Sequence, residues 1–159
     1  MISFLFSFLV SMNAYAEQTV PAGCLASPNF SAEAYQTWAA EGVKKAAGAD
    51  EAQSKMIPVG KHVELELLPV TEGFHGFAKF ETLTEGDYII VTDAYPHIDV
   101  KDLKSGESLS PSSFGKVRDC GTVSKVLRFD LSKGGRYQLG FESHQGPVLN
   151  VLIWRLSPR

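Results

Sequence analysis

Four histidines, His62, His75, His97 and His144, are the side chains in this sequence best suited to chemistry. Neutral imidazole binds copper, zinc or iron, and three convergent rings would make a mononuclear site. His97, His144 and His75 are the candidate ligands for one transition-metal ion, with Asp93 or Asp99 as a nearby carboxylate. The plainer reading makes each a solvated loop residue or a packed ring with one hydrogen bond. No close-spaced pair such as His-x-His strengthens the metal reading. The leading expectation therefore carries no cofactor.

Nucleophilic chemistry has less support. The serines gather in Ser105-Gly106-Glu107-Ser108 and Ser110-Pro111-Ser112-Ser113, which read as loops, and no Gly-x-Ser-x-Gly elbow is present. Glu64 and Glu66 share one face of a strand, but alternation makes that face the solvated one. Aromatic residues offer a different use. Phe74, Tyr95 and Phe114, with Phe77 beside them, stand in or next to segments that read as loops. Aromatic rings give large contact area at low entropic cost. Phe74, His75, Tyr95, His97, Phe114 and His144 therefore form the candidate ligand-binding set. The competing reading has the same rings plugging the ends of the fold.

The compartment that would hold such a site is suggested by the ends of the chain. Ile2 to Val10 is an apolar run broken by Ser3 and Ser7, and Ala14-Tyr15-Ala16 has the small-x-small form of a signal-peptidase site. Residues 1–16 are read as a signal peptide, although no Lys or Arg precedes the run. A membrane-spanning helix needs about 20 apolar residues, and the mature chain is expected to contain no transmembrane segment. Export to a periplasmic or secreted location makes a disulfide the simplest reading of the two cysteines, Cys24 and Cys120. A metal pair or a reactive thiol fits less well, since neither cysteine has a neighbouring histidine in sequence. With 15 Lys and Arg against 18 Asp and Glu, the formal net charge is −3. Phosphate backbones require clustered Lys and Arg, so no nucleic-acid partner is expected.

The elements that must position these side chains are mostly strands. Residues 17–55 read as a leader followed by one helix, with Ser31 as N-cap and Glu33 in the first turn of an alanine-rich stretch over 32–47 that Gly42 weakens and shortens. From Met56 to the C-terminus the pattern is that of a β-sandwich forming a single domain with the helix. Val63, Leu65 and Leu67 alternate with Glu64 and Glu66, and short apolar runs follow at 77–80, 88–91, 98–100, 126–131, 137–141 and 148–154. The expected class is mostly β, an antiparallel β-sandwich of jelly-roll type with one N-terminal helix.

One pattern is internal. Phe80-x(5)-Gly86-x-Tyr88 aligns without a gap onto Phe129-x(5)-Gly135-x-Tyr137, each followed by a histidine, His97 and His144. The units predict two equivalent β-hairpins, with glycine supplying the positive φ of each turn.

These units resemble the hairpins of bacterial pre-peptidase C-terminal domains, small secreted β-sandwiches, over residues 80–156. A further resemblance is to a set of small exported proteobacterial proteins of unknown role. It is carried by Cys24-Leu25-Ala26-x-Pro28, by Ile98-Asp99-Val100, by Cys120 with Lys125 and Phe129-Asp130-Leu131, and by Arg155-Leu156. Some of that set carry the label homogentisate dioxygenase, an activity resting on iron held by two histidines and a carboxylate.

Together these readings predict an exported, non-enzymatic binding or accessory module. It would meet a protein, glycan or small ligand of the cell envelope through loops at one end of the sandwich. The alternative is a mononuclear metal-binding protein or metalloenzyme, and a third reading is a structural stabiliser of the envelope.

Overall fold

The computed structural model describes residues 19–26 and 30–157. The signal-peptide expectation for 1–16 lies outside the described residues. Two helices precede twelve strands: α1 Ala22–Ala26, α2 Ala32–Ala39, β1 Val43–Ala46, β2 Lys55–Met56, β3 His62–Glu66, β4 Leu68–Val70, β5 Gly73–Glu81, β6 Gly86–Thr92, β7 His97–Asp102, β8 Ser108–Leu109, β9 Ser113–Lys116, β10 Lys125–Leu131, β11 Arg136–Ser143 and β12 Val148–Arg155. One sheet runs β1-β3-β12-β6-β10-β9, and the other β2-β5-β11-β7-β8 with β4 also pairing β5. From β5 to β7 and again from β10 to β12, successive strands alternate between the sheets, which is jelly-roll connectivity. The mostly β sandwich expected from the pattern is the fold observed. Three features differ: a second helix, α1, stands within the expected leader, and β1–β3 and β2–β5 pair in parallel rather than antiparallel.

The continuous apolar runs have a structural cause. Tyr88 and Ile90 of β6, Phe129 of β10 and Val151 of β12 point into the space between the sheets. Ile89 and Val91 of β6, Val126 of β10 and Leu152 of β12 point to the opposite face of the same sheet. That outer face is covered by Cys24, Phe30, Ala34 and Trp38 from the N-terminal segment. Burial on both faces removes the alternation that a half-exposed strand would show. Cys24 and Cys120 form a disulfide across a separation of 96 residues, tying α1 to the segment between β9 and β10.

The helix of the alanine-rich stretch is short, as Gly42 led one to expect. Ser31 caps it as predicted, accepting from Ala34 N at 3.1 Å. It ends at Ala39, and the next residues cross closely over the sheet: a Cβ on Gly42 would stand 2.8 Å from Glu64 Cγ. Val43–Ala46 then joins β3 as a strand, so the sandwich begins before Met56.

The repeated units are not hairpins. β5 and β6 lie in different sheets, as do β10 and β11, so each unit is a corner that carries the chain across the sandwich. The two copies pair with each other instead: Phe80 stands opposite Tyr137, and Phe129 opposite Tyr88. Both tyrosines reach back to their own corner. Tyr88 Oη donates to Thr84 O at 2.7 Å, and Tyr137 Oη accepts from Ser132 N at 3.0 Å. Thr82 laces the corners together, its O accepting from Gly134 N at 2.8 Å and its N donating to Gly135 O at 3.0 Å. Gly86 has the positive φ expected, +134°, but in the second corner that role falls to Gly134 at +66°. Gly135 is needed for space, since a Cβ there would lie 2.4 Å from Tyr137 Oη.

Candidate functional site

The candidate residues fall into separate groups. His75 lies in β5 and His97 in β7, not in loops, and both stand in register with Glu142 of the intervening β11. Registered partners share a face, so His75, Glu142 and His97 form one row on the outer side of their sheet. Neighbouring strands are about 4.8 Å apart, which leaves the two histidines two strand spacings from each other. His97 Nε2 is 3.2 Å from Asp99 Oδ1, and both side chains are exposed. Such a pair contributes little to stability.

His144 does occupy a turn, after β11. It shares a groove of about 560 Å³ with His75, Phe74, Glu72 and Glu142. Phe74 alternates with His75 along β5 and packs against the inner core, so it is no free stacking ring. Among the described residues no group of three or more His, Cys, Asp and Glu is arranged to hold a metal. The set His97, His144 and His75 is therefore not assembled, because β11 stands between His75 and His97.

His62 is a structural ring. It stacks on Trp38 with centroids 5.1 Å apart, and its Nδ1 and Nε2 lie 2.9 Å from Ala40 O and 2.8 Å from Asn150 Oδ1. Asn150 donates through Nδ2 to Asp93 Oδ2 at 2.6 Å, which fixes its amide. The chain of contacts holds the end of α2 on the sheet. Asp93 serves this network rather than His97 or His144.

Tyr95 and Phe114 form a different site. Tyr95 lies between β6 and β7 and is 48% exposed; Phe114, on β9 rather than in a loop, is 56% exposed. Each carries a lysine over its ring: Lys116 Nζ is 5.3 Å from the Tyr95 centroid, and Lys125 Nζ is 5.6 Å from the Phe114 centroid. Lys116 and Lys125 stand directly opposite each other in the β9–β10 register. Like charges so placed repel. Among the described residues no carboxylate lies within ion-pair distance of either. Lys125 is half-buried, its Nζ donates to Pro96 O at 2.6 Å, and burial lowers its pKa below the ordinary 10.5. Two lysines paired across neighbouring strands, one of them partly dehydrated, make a cationic aromatic surface that favours an anion. The aromatic rings offset part of that charge through cation–π contact.

Of the six candidate binding residues, the structure thus brings Tyr95 and Phe114 to one site and His75, Phe74 and His144 to another groove, and leaves His97 apart. Lys116 and Lys125 escaped the sequence reading. A signal for Lys125 was present: it heads the alternating row Lys125, Leu127, Phe129, Leu131, whose later members all face the core. Lys116 carried no such signal, because β9 follows a serine- and proline-rich stretch that reads as a loop. Comparison of the chain with protein-family models and with curated proteins finds no match.

Proposed function

We propose that this protein is an exported, non-enzymatic binding module that takes up an anionic ligand at the surface made by Tyr95, Phe114, Lys116 and Lys125. The observation carrying the reading is the cross-strand pair Lys116–Lys125, with no carboxylate within ion-pair distance among the described residues and each ammonium over an exposed ring. An anion at this surface compensates the two positive charges and offsets the solvation that Lys125 has lost. The site offers charge and aromatic surface, the means of binding rather than of bond making. Export is supported by the leader reading of residues 1–16 and by the Cys24–Cys120 disulfide, a bond that persists in oxidising compartments.

The test is calorimetric titration of the oxidised protein with a glutamate-rich peptide and an oligogalacturonate, each beside its uncharged counterpart. At least one acidic probe is expected to bind, with affinity falling as salt is raised. Lys116→Gln and Lys125→Gln are each expected to weaken binding about tenfold or more, the scale of a hydrogen bond to a charged group. Equal binding of charged and uncharged probes, or indifference to both substitutions, would overturn the reading.

A further inference from the structure

We infer that the anion is carried by an extended acidic peptide, which adds as a strand to the open edge of β9. The inference rests on the anion-binding reading above and names the ligand class for that site.

β9 ends its sheet: it pairs with β10, and among the described residues no strand pairs with its other side. Its backbone polarity follows from the register. Val117 N donates to Ser124 O at 3.0 Å, and the register pairs Gly115 with Val126 and Ser113 with Arg128. In an antiparallel ladder, hydrogen-bonded positions alternate with positions whose N–H and C=O face away. Ser113, Gly115 and Val117 therefore address β10. Phe114 and Lys116 direct their N–H and C=O to the open edge. Ser112 N donates to Arg128 O at 2.7 Å, opposite which Ser113 also stands, so a β-bulge closes the edge at its start.

The residues with outward-facing backbone are also those with the recognition side chains. Phe114 and Lys116 lie two apart on β9 and share a face with Leu127 and Lys125 of β10. A strand added to β9 would place one side chain beside Lys116 and the next on that face beside Phe114. The matching segment has a carboxylate residue and an apolar residue two positions apart. This is strand addition, in which main-chain hydrogen bonds give affinity and alternate side chains give specificity.

Two observations favour a peptide over the other occupants. Each ring already has an ammonium group over one face, which halves the ring surface open to sugar stacking. A second copy of this chain adding through its own β9 would bring further lysines against Lys116 and Lys125, and like charges across paired strands repel. An acidic strand meets neither obstacle.

The test uses the oxidised protein and three probes: a peptide with alternating glutamate and valine, the same peptide methylated on alternate backbone nitrogens in each of the two possible registers, and an oligogalacturonate. Strand addition predicts that methylation in one register weakens binding at least tenfold and in the other has little effect. It also predicts that bound peptide slows hydrogen exchange at the amides of Phe114 and Lys116. If the peptide binds but neither register of methylation matters, or those two amides stay unprotected, strand addition is wrong and the anion reading stands. Binding of the oligogalacturonate without the peptide likewise overturns strand addition and leaves the anion reading in place. If no acidic probe binds, both readings fall together.

Discussion

Breaking the Cys24–Cys120 bond should release one layer of the protein before the other. The bond closes a separation of 96 residues. Loop entropy for a ring near that size amounts to about 4.7 kcal/mol, and native strain commonly trims it, so a loss of about 3–5 kcal/mol is expected. For a domain of this length that corresponds to a fall of about 10–20 °C in Tm. The location of the damage is more informative than its size. Both sulfurs sit in the outer cluster with Phe30, Ala34, Trp38, Ile89, Val91 and Leu152. The inner cluster between the sheets contains neither cysteine. The protein has two tryptophans, and both report the outer layer: Trp38 lies within it and Trp154 packs against it. Denaturation of the Cys24→Ser, Cys120→Ser double variant can thus be followed by tryptophan fluorescence for the helical layer and by far-UV circular dichroism for the sheets. The fluorescence transition should move to lower denaturant and precede the dichroism transition, whereas the two coincide in the oxidised protein. Coincident, unshifted transitions in the double variant would refute the assignment of the helical layer to the disulfide.

Other consequences are local. Gly23→Ala should impair oxidation and lower stability by about 1–3 kcal/mol, because the new Cβ would stand 2.1 Å from Arg118 O and 2.4 Å from Asp119 O, both backbone atoms; thiol titration and thermal melting check this. Tyr88→Phe and Tyr137→Phe should each cost about 1 kcal/mol in urea melts, since each buried ring loses the part-buried hydrogen bond that ties it to its own corner. The pH dependence of Lys125 has a definite sign. Burial lowers its folded pKa, so between that value and 10.5 the unfolded chain binds more protons and stability rises with pH. Anion binding needs the ammonium form, so affinity for an acidic probe should fall over the same interval, and Lys125→Gln should flatten that fall.

The sandwich was legible because its inner rows are written in plain alternation: Val63 and Leu65, Leu127 to Leu131, Tyr137 to Phe141. What sequence patterning misplaced has physical causes. Val43–Ala46 reads as the tail of an alanine-rich helix, and only its parallel partner β3 makes it a strand. Non-local pairing leaves no local signature. The Phe-x(5)-Gly-x-Tyr units were visible, but a turn between paired strands and a corner between sheets use the same glycine and the same spacing. The difference lies in which strands come to oppose each other, and Phe80 meets Tyr137 from the other copy. Tyr95 and Phe114 were identifiable as exposed rings. The lysine pair was not, since the pairing of Lys116 with Lys125 is set by the β9–β10 register and spans a disulfide-bearing loop.

The central claim, that the lysine-capped aromatic surface binds anions, is tested most directly by following backbone amide and lysine side-chain resonances as a glutamate-rich peptide is added to the oxidised protein. Saturable shifts concentrated at Tyr95, Phe114, Lys116 and Lys125, absent with the glutamine counterpart, are the predicted result. Shifts centred instead on the groove of His75, Glu142 and His144, or no shifts at any peptide concentration, would contradict the claim.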